Sequence, residues 1–477
     1  ARGQGLLANG SFENGMTGWR GKGAVVRRVE AKAPHGRHVL QVNPAEMDED
    51  GLSFQAELTP GKEYSLSFRI NAPQFKNTWL LVYMDGLSPY DMVASFRGPK
   101  GRRGRGPVGW LRRSGTFIAT AKRSRFHFAR PTSWRGDKIG KFQLDDVRLT
   151  PTGRSMTYGR DYEYRAILPS EAAAGQAVRL LVTGLWVARG GRYGIPAKLA
   201  AKLTVAGDDA KAALPGSITF ERGRPAVSAV EVTFNTPGVH RLTVTDAAGN
   251  RAISNPVRVT AKMPELRHFW GDLHIHTVYQ HGGPKAGDEN DNYRFARDVA
   301  GLDFAALSEH YASCITPEVW LKRMAVATRK FYRPGRFATL HGIESGTYQG
   351  HHNYYLRSDD PLDLHDRRDK PRSTQDVMDF YHSRARRVLV VPHHLALLQP
   401  VDWLLRDRDY HRLVEVYSNH GSSEEPGPWW RAPSYRGSGN NYKDSGGLPG
   451  HTWRDGLAMG RRVGAIGSGD SHSARPG

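Results

Sequence analysis

The segment FWGDLHIHT (269–277) constrains the fold of this chain more than any other. It places His274 and His276 one residue apart at the end of an apolar run. Residues i and i+2 of a strand face the same side, so both imidazoles should point in one direction. Histidine is also concentrated in this part of the chain, since 16 of the 20 histidines lie between His268 and His472. We therefore expect a domain in which strand ends surround a shared metal ion.

Length and composition predict more than one domain. The chain has 477 residues, of which 39% are hydrophobic, enough to form several separate cores. We predict no membrane span, because no apolar run approaches the required length. The single cysteine, Cys314, excludes an intrachain disulfide. A chain that begins with Ala1 is expected for a secreted, periplasmic or cell-surface protein whose signal peptide has been removed.

The positive charge favours anionic partners. The net charge is +21 and the isoelectric point is about 10.0, which suits a phosphate ester, an anionic polysaccharide, a wall polymer or extracellular nucleic acid. Residues 97–130 contain eleven Lys or Arg and no acidic residue. A solvated charged surface is one interpretation of this stretch. The other is a docking site for a polyanion, with these candidate residues: Arg102, Arg103, Arg105, Arg112 and Arg113.

The first predicted domain, residues 1–152, contains short alternating strands such as YSLSFRI (64–70). Its ends, NGSFENGMTGW (9–19) and FQLDDVRLT (142–150), resemble the first and last strands of carbohydrate-binding-module jelly rolls. The resemblance implies a jelly roll. It also matches Glu13 and Asp146 to positions that often hold a structural calcium ion. An equally good interpretation is that Glu13 is an ordinary turn residue and that Asp146 lies at a solvated strand end.

The second predicted domain, residues 154–263, also consists of strands. AVRLLVTGLWVA (177–188) is one of them, and AAGN (247–250) is a hairpin signal between two alternating runs. We predict a small immunoglobulin-like β-sandwich. The region contains no cluster of titratable residues, so we expect it to act as a spacer.

The third predicted domain, residues 265–477, alternates strands with helices and is therefore of the α/β class. Pro317 is typical of a first helical position, and Ser373 is a predicted N-cap. Polar residues lie at or just after the carboxyl ends of the predicted strands, where barrel enzymes assemble their sites. They are His274, His276, Glu309, His310, Glu344, His393, His394, Glu415, Asp470 and His472.

The order of these motifs resembles the PHP superfamily, named after polymerase and histidinol phosphatase. The matching motifs are HIH (274–276), EH (309–310), GIES (342–345), GHHN (350–353), PHH (392–394) and GDSH (469–472). FWGDLHIHT and LVEVYSNHGSSEE (413–425) further resemble an exported multidomain subfamily of unknown function. The resemblance implies a distorted (β/α)7 barrel that holds two to three divalent Zn, Mn or Fe ions and hydrolyses phosphate esters. Such barrels usually continue beyond the last motif, so we expect that the domain lacks its C-terminal end or closes unusually.

The resemblance also implies a set of metal ligands. His274, His276, Glu344 and Asp470 match the ligands of one ion. Glu344 would bridge to a second ion, which His351 and His393 would also bind. The third ion would be bound by His310 and His472, with His281 close to the expected position of its remaining histidine. Glu309 stands where the family usually has aspartate.

The implied reaction uses a metal-activated hydroxide that attacks phosphorus, with Glu344 and Asp470 acting through the ions. We predict His352, His394 or His420 as the acid that protonates the leaving group. We also predict that Glu415 and His420 line the substrate pocket.

Two other functions fit the same residues. An amidohydrolase also begins with paired histidines on a barrel strand, but the final DSH and the lack of a plausible carbamylated lysine favour a PHP domain. A non-catalytic, metal-containing surface or matrix protein that binds anionic polymers is the second alternative.

Overall fold

The structure is a computed structural model. It describes residues 6–28, 33–47, 51–75, 78–84, 92–97, 109–128, 132–133, 140–187, 193–279, 287–310, 317–347, 350–357, 373–384, 388–396, 400–405, 412–418, 420–425, 449–472 and 474–477. The chain divides into two compact units. One comprises Ala1–Leu168 and Ala174–Pro256, and the other Pro169–Ala173 and Val257–Gly477. In these ranges no helix combines the length and apolar character needed to cross a membrane.

The first region is a β-sandwich. A short 3-10 helix (Pro44–Glu46) accompanies its strands, which are β1 (Trp19–Arg20), β2 (Ala24–Arg28), β3 (His38–Val42), β4 (Leu52–Glu57), β5 (Lys62–Asn71), β6 (Thr78–Met84), β7 (Met92–Arg97), β8 (Leu111–Ile118), β9 (Arg123–Phe128), β10 (Thr132–Ser133) and β11 (Phe142–Ser155). One sheet has the order β1-β4-β9-β6-β10, with β7 beside β6, and the other has the order β2-β3-β11-β5-β8.

Alternation along the strands builds the core between these sheets. On β5, Tyr64, Leu66, Phe68 and Ile70 are buried. Strand alternation directs Arg69 to the opposite face. The predicted strand in YSLSFRI is therefore confirmed. The core is rich in aromatic rings, and such rings bury large apolar areas, which favours packing of the two sheets.

The two carboxylates that the resemblance matches to a calcium position both have protein partners. Glu13 accepts hydrogen bonds from the backbone N–H groups of Arg37 and His38 and lies 2.9 Å from the His38 Nδ1 atom. Asp146 lies 2.5 Å from Arg148 Nε and 3.5 Å from Arg69 Nε. Because cationic and N–H donors surround both side chains, this pair does not fit a calcium site.

Strand alternation also separates two of the predicted docking arginines. Arg112 is exposed, whereas the Arg113 guanidinium carbon lies 5.2 Å from the centroid of the Phe96 ring. Adjacent residues of β8 face opposite sides, so Arg113 packs against the sandwich and does not share a docking surface with Arg112. Arg102, Arg103 and Arg105 lie outside the described residues.

The second region adds two further antiparallel sheets to the same compact unit. One contains β12 (Tyr162–Ile167), β14 (Ala177–Val187), β15 (Tyr193–Pro196) and β18 (Val227–Thr233), and the other contains β16 (Ala201–Gly207), β17 (Ile218–Phe220), β20 (Leu242–Asp246) and β21 (Arg251–Ile253). β19 (Gly238–His240) lies between β18 and β20 along the chain. β20 and β21 pair across AAGN, which confirms the predicted hairpin.

The second unit contains the histidine-rich region. β13 (Glu171–Ala173) pairs in parallel with β22 (Val257–Thr260). The main sheet contains β23 (Gly271–Ile275), β24 (Phe304–His310), β25 (Ala338–Thr347), β26 (Gly350–Leu356), β27 (Val388–His393), β28 (Leu413–Ser418), β29 (Gly421–Ser422) and β30 (Gly464–Gly467). The helices are α1 (Glu289–Arg294), α2 (Pro317–Val319), α3 (Ala325–Phe331), α4 (Thr374–Ser383) and α5 (Trp453–Ala458), with π-helical turns at Phe295–Val299 and Trp320–Met324.

Local signals placed two helix starts correctly. The helix expected at Pro317 begins there. Ser373 caps α4, because its hydroxyl accepts the N–H of Asp376 while the Asp376 side chain accepts the N–H of Ser373.

The main sheet is mixed, which corrects the expectation of a (β/α)7 barrel. Its order is β23-β24-β25-β26-β27-β28-β29, with β30 beside β28. β26 runs antiparallel to both β25 and β27. Only residues 348 and 349 separate β25 from β26, a connection too short for the helical crossover that parallel strands need. A regular strand–helix repeat is therefore absent at this point.

The segment after β30 brings the last motif to the first strand of the main sheet. β30 pairs in parallel with β28, and Ser471 forms a parallel bridge with Ile275 of β23. The His276 N–H donates to the Ser471 carbonyl, and the Ser471 N–H donates to the His274 carbonyl. Residues 464–471 thus pair with both β28 and β23, so the first and last motifs lie side by side.

Candidate metal centre

His274 and His276 form the inner wall of the site. Both side chains are buried, and their Nε2 atoms lie 3.0 Å apart. Strand alternation places both rings on one side of the chain, and Ile275 between them packs into the hydrophobic core. Burial lowers the pKa of His274, but the charges of Glu415 and Asp470 outweigh this effect and raise the pKa well above its ordinary value.

Glu344 on β25 is the centre of the cluster. Its Oε1 lies 2.5 Å from His351 Nδ1 and 2.7 Å from His393 Nε2. Its Oε2 faces three further Nε2 atoms, those of His276 at 3.2 Å, His310 at 3.4 Å and His274 at 3.5 Å. Burial raises the pKa of Glu344, but the surrounding imidazoles outweigh it and hold the pKa well below its usual range.

Strand register explains how His351 and His393 meet. They are direct partners across the antiparallel pair β26 and β27, and His351 also pairs with Gly346 of β25. Side chains of directly opposite residues lie close together on one face of a sheet. The His351 Nδ1 and His393 Nε2 atoms are accordingly 2.6 Å apart.

Asp470 closes the other side of the cluster. Its Oδ1 lies 3.1 Å from His276 Nε2 and 3.5 Å from His274 Nε2, while its Oδ2 lies 2.8 Å from His420 Nε2. Asp470 has a φ of 44°, a left-handed conformation that Asp tolerates better than most residues. This backbone turn directs the carboxylate toward β23.

The donor set fits divalent transition-metal ions. Among the described residues, four groups of side chains each bring three ligand atoms within 4.8 Å of one another; they are His274, His276 and Asp470; His274, Glu344 and His393; His310, Glu344 and His351; and His351, His393 and His394. Several imidazole nitrogens face each other at hydrogen-bond distance. Two such nitrogens can share only one proton, whereas a metal cation could accept the lone pairs of both. Imidazole and carboxylate are suitable ligands for Zn, Mn and Fe ions.

Glu415 contacts the ring of His274, a candidate metal ligand. Its two carboxylate oxygens lie 3.1 and 3.0 Å from His274 Nδ1. Glu415 is only 1% exposed, so its position does not support the predicted substrate-binding role. A carboxylate bound to one ring nitrogen fixes the orientation of the imidazole and leaves the other nitrogen for a metal.

The adjacent histidines of each predicted pair have different positions. His352 pairs with Pro392 and Ser345, so it faces away from His351 and packs beside Tyr354, with 5.9 Å between ring centroids. Its predicted role as leaving-group acid is therefore not supported. His394 has a φ of 40° and returns to the cluster, where its ring stacks on His351 at 5.0 Å.

The predicted third ion has a less complete ligand set. The rings of His310 and His472 lie 5.5 and 4.4 Å from the ring of His276, yet none of the four described groups contains both. His281 lies outside the described residues. Binding of a third ion by these histidines stays a prediction.

Sequence reasoning assigned His420 to the substrate pocket and missed its contact with Asp470. The position of His420 just after the end of β28 could have indicated this contact, since the other residues of the cluster also lie at or just after strand ends. Glu309 is buried near the site and accepts the backbone N–H of Thr277 at 2.5 Å. Burial raises the pKa of Glu309.

Comparisons with known proteins concern the first region. Residues 4–129 match the family model described as a carbohydrate binding domain, which confirms the resemblance noted for residues 9–19; the segment 142–150 lies outside the matched range. No curated protein matches the chain.

Several solved structures are similar to part of the chain. The CBM22-1–GH10 modules of Clostridium thermocellum xylanase 10B, complexed with xylohexaose, are 19% identical with a TM-score of 0.23; the match covers 31% of this chain and 29% of that one. TmCBM61 in complex with β-1,4-galactotriose is 18% identical with a TM-score of 0.23; the match covers 31% of this chain and 99% of that one. The CBM22-1 xylan-binding domain of Paenibacillus barcinonensis Xyn10C is 17% identical with a TM-score of 0.22; the match covers 32% of this chain and 97% of that one.

The contact between Glu415 and His274 predicts that Glu415→Gln weakens metal binding. We expect two to three ions per wild-type chain and a loss of about 10- to 100-fold in affinity in the variant, because the His274 ring is no longer held by a charged partner. Titration calorimetry with Mn²⁺ or Zn²⁺ measures the effect. Glu424→Gln, at an exposed position, is the matched control and should bind like the wild type. Equal affinity in all three proteins would contradict the orienting role.

Metal binding should release protons at neutral pH. Burial lowers the pKa of His276, but hydrogen bonds to Asp470 and Glu344 outweigh this and raise it to about 9 in the metal-free site. The ring is thus protonated below that pH and must lose its proton to bind an ion, so metal affinity should rise with pH up to about 9. Calorimetry in buffers of different ionisation enthalpy measures the proton count. A binding enthalpy that is independent of the buffer at pH 7.5 would refute this prediction.

Proposed function

We propose that this chain is a metal-dependent phosphoesterase of the PHP type, joined to a carbohydrate-binding module that carries it to an extracellular or cell-surface polysaccharide. The observation that carries the proposal is the position of Glu344, whose two oxygens contact imidazoles from four strands of one sheet. Asp470 supplies a second buried carboxylate beside the same rings. Two carboxylates among several imidazoles are the type of donor set that holds neighbouring divalent ions.

His274, His276, Glu344 and Asp470 would hold one ion, and Glu344, His351 and His393 a second. Such ions lower the pKa of coordinated water toward neutrality and thereby supply the nucleophile for ester hydrolysis. The protein keeps both carboxylates ionised, since neighbouring imidazoles hold the pKa values of Glu344 and Asp470 well below their usual ranges. Glu415 keeps the His274 ring in the orientation that the centre needs.

Differences in exposure indicate where a substrate would approach. The side chains of His274, His276 and His393 are at most 1% exposed. Those of His310, His420 and His472 are 20%, 22% and 30% exposed. A phosphate ester would therefore enter from the side of these three histidines, with the buried histidines behind the reaction centre.

His420 is the best candidate for the acid that protonates the leaving group. Its Nε2 lies 2.8 Å from Asp470 Oδ2, and the ring is partly exposed on the entry side. His394 is a poorer candidate, because burial, together with the charges of His351 and His420, lowers its pKa to about 3. An imidazole with so low a pKa is neutral at pH 7 and carries no proton to donate at its free nitrogen.

The proposed activity predicts that the metal-loaded chain hydrolyses simple phosphate esters and that Asp470→Asn loses at least about 100-fold in kcat/KM, because a charged ligand of the centre is removed. Steady-state assays with p-nitrophenyl phosphate and bis(p-nitrophenyl) phosphate measure the loss, with circular dichroism as a check on folding. Asp379→Asn on the exposed side of α4 is the matched control and should retain full activity. A metal-loaded wild type without turnover on any phosphoester would favour a non-catalytic, metal-containing binding protein.

The role of His420 predicts a dependence on the leaving group. His420→Gln should lower kcat by about 100-fold for an alkyl phosphate, whose leaving group needs a proton, and far less for p-nitrophenyl phosphate. His382→Gln, at an exposed position on α4, should affect neither substrate. Equal losses on both substrates would show that His420 acts in another way, for example as a metal ligand.

A further inference from the structure

Three arginines lie side by side on the outer face of the sheet β2-β3-β11-β5-β8. Arg69 of β5 is directly opposite Arg112 of β8, and Arg148 of β11 is directly opposite Ser67 of β5. Their neighbours Leu66 and Phe68 are buried in the core, so alternation directs the arginines outward. We call Arg69, Arg112 and Arg148 the arginine strip.

The strip carries more positive charge than its acidic neighbour can balance. Asp146 contacts Arg148 and Arg69, and the described residues include no carboxylate that pairs with Arg112. Asp145 does not contribute to the surface, because it is fully buried and accepts the N–H groups of His35 and Asp146. Like charges directly opposite on neighbouring strands are destabilising. An anionic ligand would remove this repulsion.

The residues around the strip are small and polar. Ser114 is exposed and directly opposite Ser67, Ser65 is partly exposed beside them, and Asn71 donates a hydrogen bond to Gln143 at 3.0 Å. On β5, β8 and β11 the described side chains that share this face include no aromatic ring. The surface therefore offers guanidinium, hydroxyl and amide groups on a flat sheet, without a stacking platform.

We propose that the arginine strip binds an anionic polysaccharide. The proposed function already assigns this module to a polysaccharide, and the arginine strip indicates that this polysaccharide is anionic. In that respect the inference rests on the proposed function. Guanidinium groups bind carboxylates through paired, charge-assisted hydrogen bonds. Neighbouring strands are roughly 4.8 Å apart, so the strip presents several such groups to a chain with repeated carboxylates.

The polar neighbours favour a polysaccharide over nucleic acid. Hydroxyl and amide groups beside the strip can bond sugar hydroxyls between the charged positions. Single-stranded nucleic acid is commonly bound through bases stacked on aromatic side chains, which this face lacks among its described residues. The strip is also separate from the metal centre, since its residues belong to the first compact unit and the metal ligands to the second.

The test compares two polymers with the same backbone. Binding of the full chain to polygalacturonate and to fully methyl-esterified pectin is measured by calorimetry at several NaCl concentrations. The variants are Arg112→Gln and the triple variant Arg69→Gln, Arg112→Gln and Arg148→Gln. Arg125→Gln is the matched control, because Arg125 lies on the outer face of the other sheet. The single variant Arg112→Gln leaves the Asp146 contacts intact, so it still tests the proposal if the triple variant does not fold.

We expect the wild type to bind polygalacturonate, with affinity that falls as salt rises, and not to bind the esterified polymer. Each arginine removed should reduce the slope of log affinity against log salt by about one, since fewer condensed counterions are released. Arg112→Gln should lose several-fold in affinity at low salt, and Arg125→Gln should match the wild type. Equal binding of both polymers, or strip variants that bind like the wild type, would overturn the proposal, as would tighter strip-dependent binding to poly(U) RNA.

Hydrolysis of p-nitrophenyl phosphate, measured on the same samples, separates the two proposals. We expect the strip variants to retain the wild-type rate, because a small soluble substrate does not need the strip. If the wild type binds polygalacturonate through the arginine strip but shows no hydrolysis, the proposed phosphoesterase activity is refuted and polysaccharide binding by the strip is supported. If the wild type hydrolyses the substrate fully but does not bind polygalacturonate, only the proposal for the arginine strip is refuted.

Discussion

The contacts of Glu344 are the interaction on which the rest of the candidate metal centre depends. This buried carboxylate contacts His276 and imidazoles from β23, β24, β26 and β27, and no other described carboxylate contacts so many imidazoles. A buried carboxylate is costly unless charge or hydrogen bonds compensate it. Here protonated imidazoles or bound cations would provide that compensation. The buried carboxylate is therefore stabilised only if the cluster binds cations or keeps several imidazoles protonated.

A second buried carboxylate holds the strands in the arrangement that Glu344 needs. Asp272 accepts the backbone N–H groups of His274 and Gly469 through Oδ1 and that of Gly477 through Oδ2. It thereby ties β23, which carries His274 and directly precedes His276, to the segment that carries Asp470. Glu415 adds a further constraint by holding the His274 ring. The ligand positions thus result from backbone hydrogen bonds and outer carboxylates as well as from the ligands themselves.

Local sequence patterns could predict much of this site, and register determined the remainder. The alternation in LHIH and the position of Asp470 after a predicted strand depend on nearby residues, and the structure brings both together. Alternation cannot decide which of His351 and His352 faces the cluster, because that depends on which residue pairs with His393 across the sheet. The positive φ of His394 and the burial of Glu415 arise from tertiary packing. The mixed sheet was missed because a two-residue connection reverses β26.

Anomalous X-ray diffraction from crystals of the metal-loaded protein tests directly whether Glu344 lies at the centre of a metal cluster. Data collected on either side of the absorption edge of the bound metal locate each ion independently of any assay. We expect at least two peaks within coordination distance of Glu344, one of them also adjacent to Asp470, at metal–oxygen or metal–nitrogen separations of about 2.0–2.2 Å. Fully loaded crystals without a peak beside Glu344 would contradict this expectation.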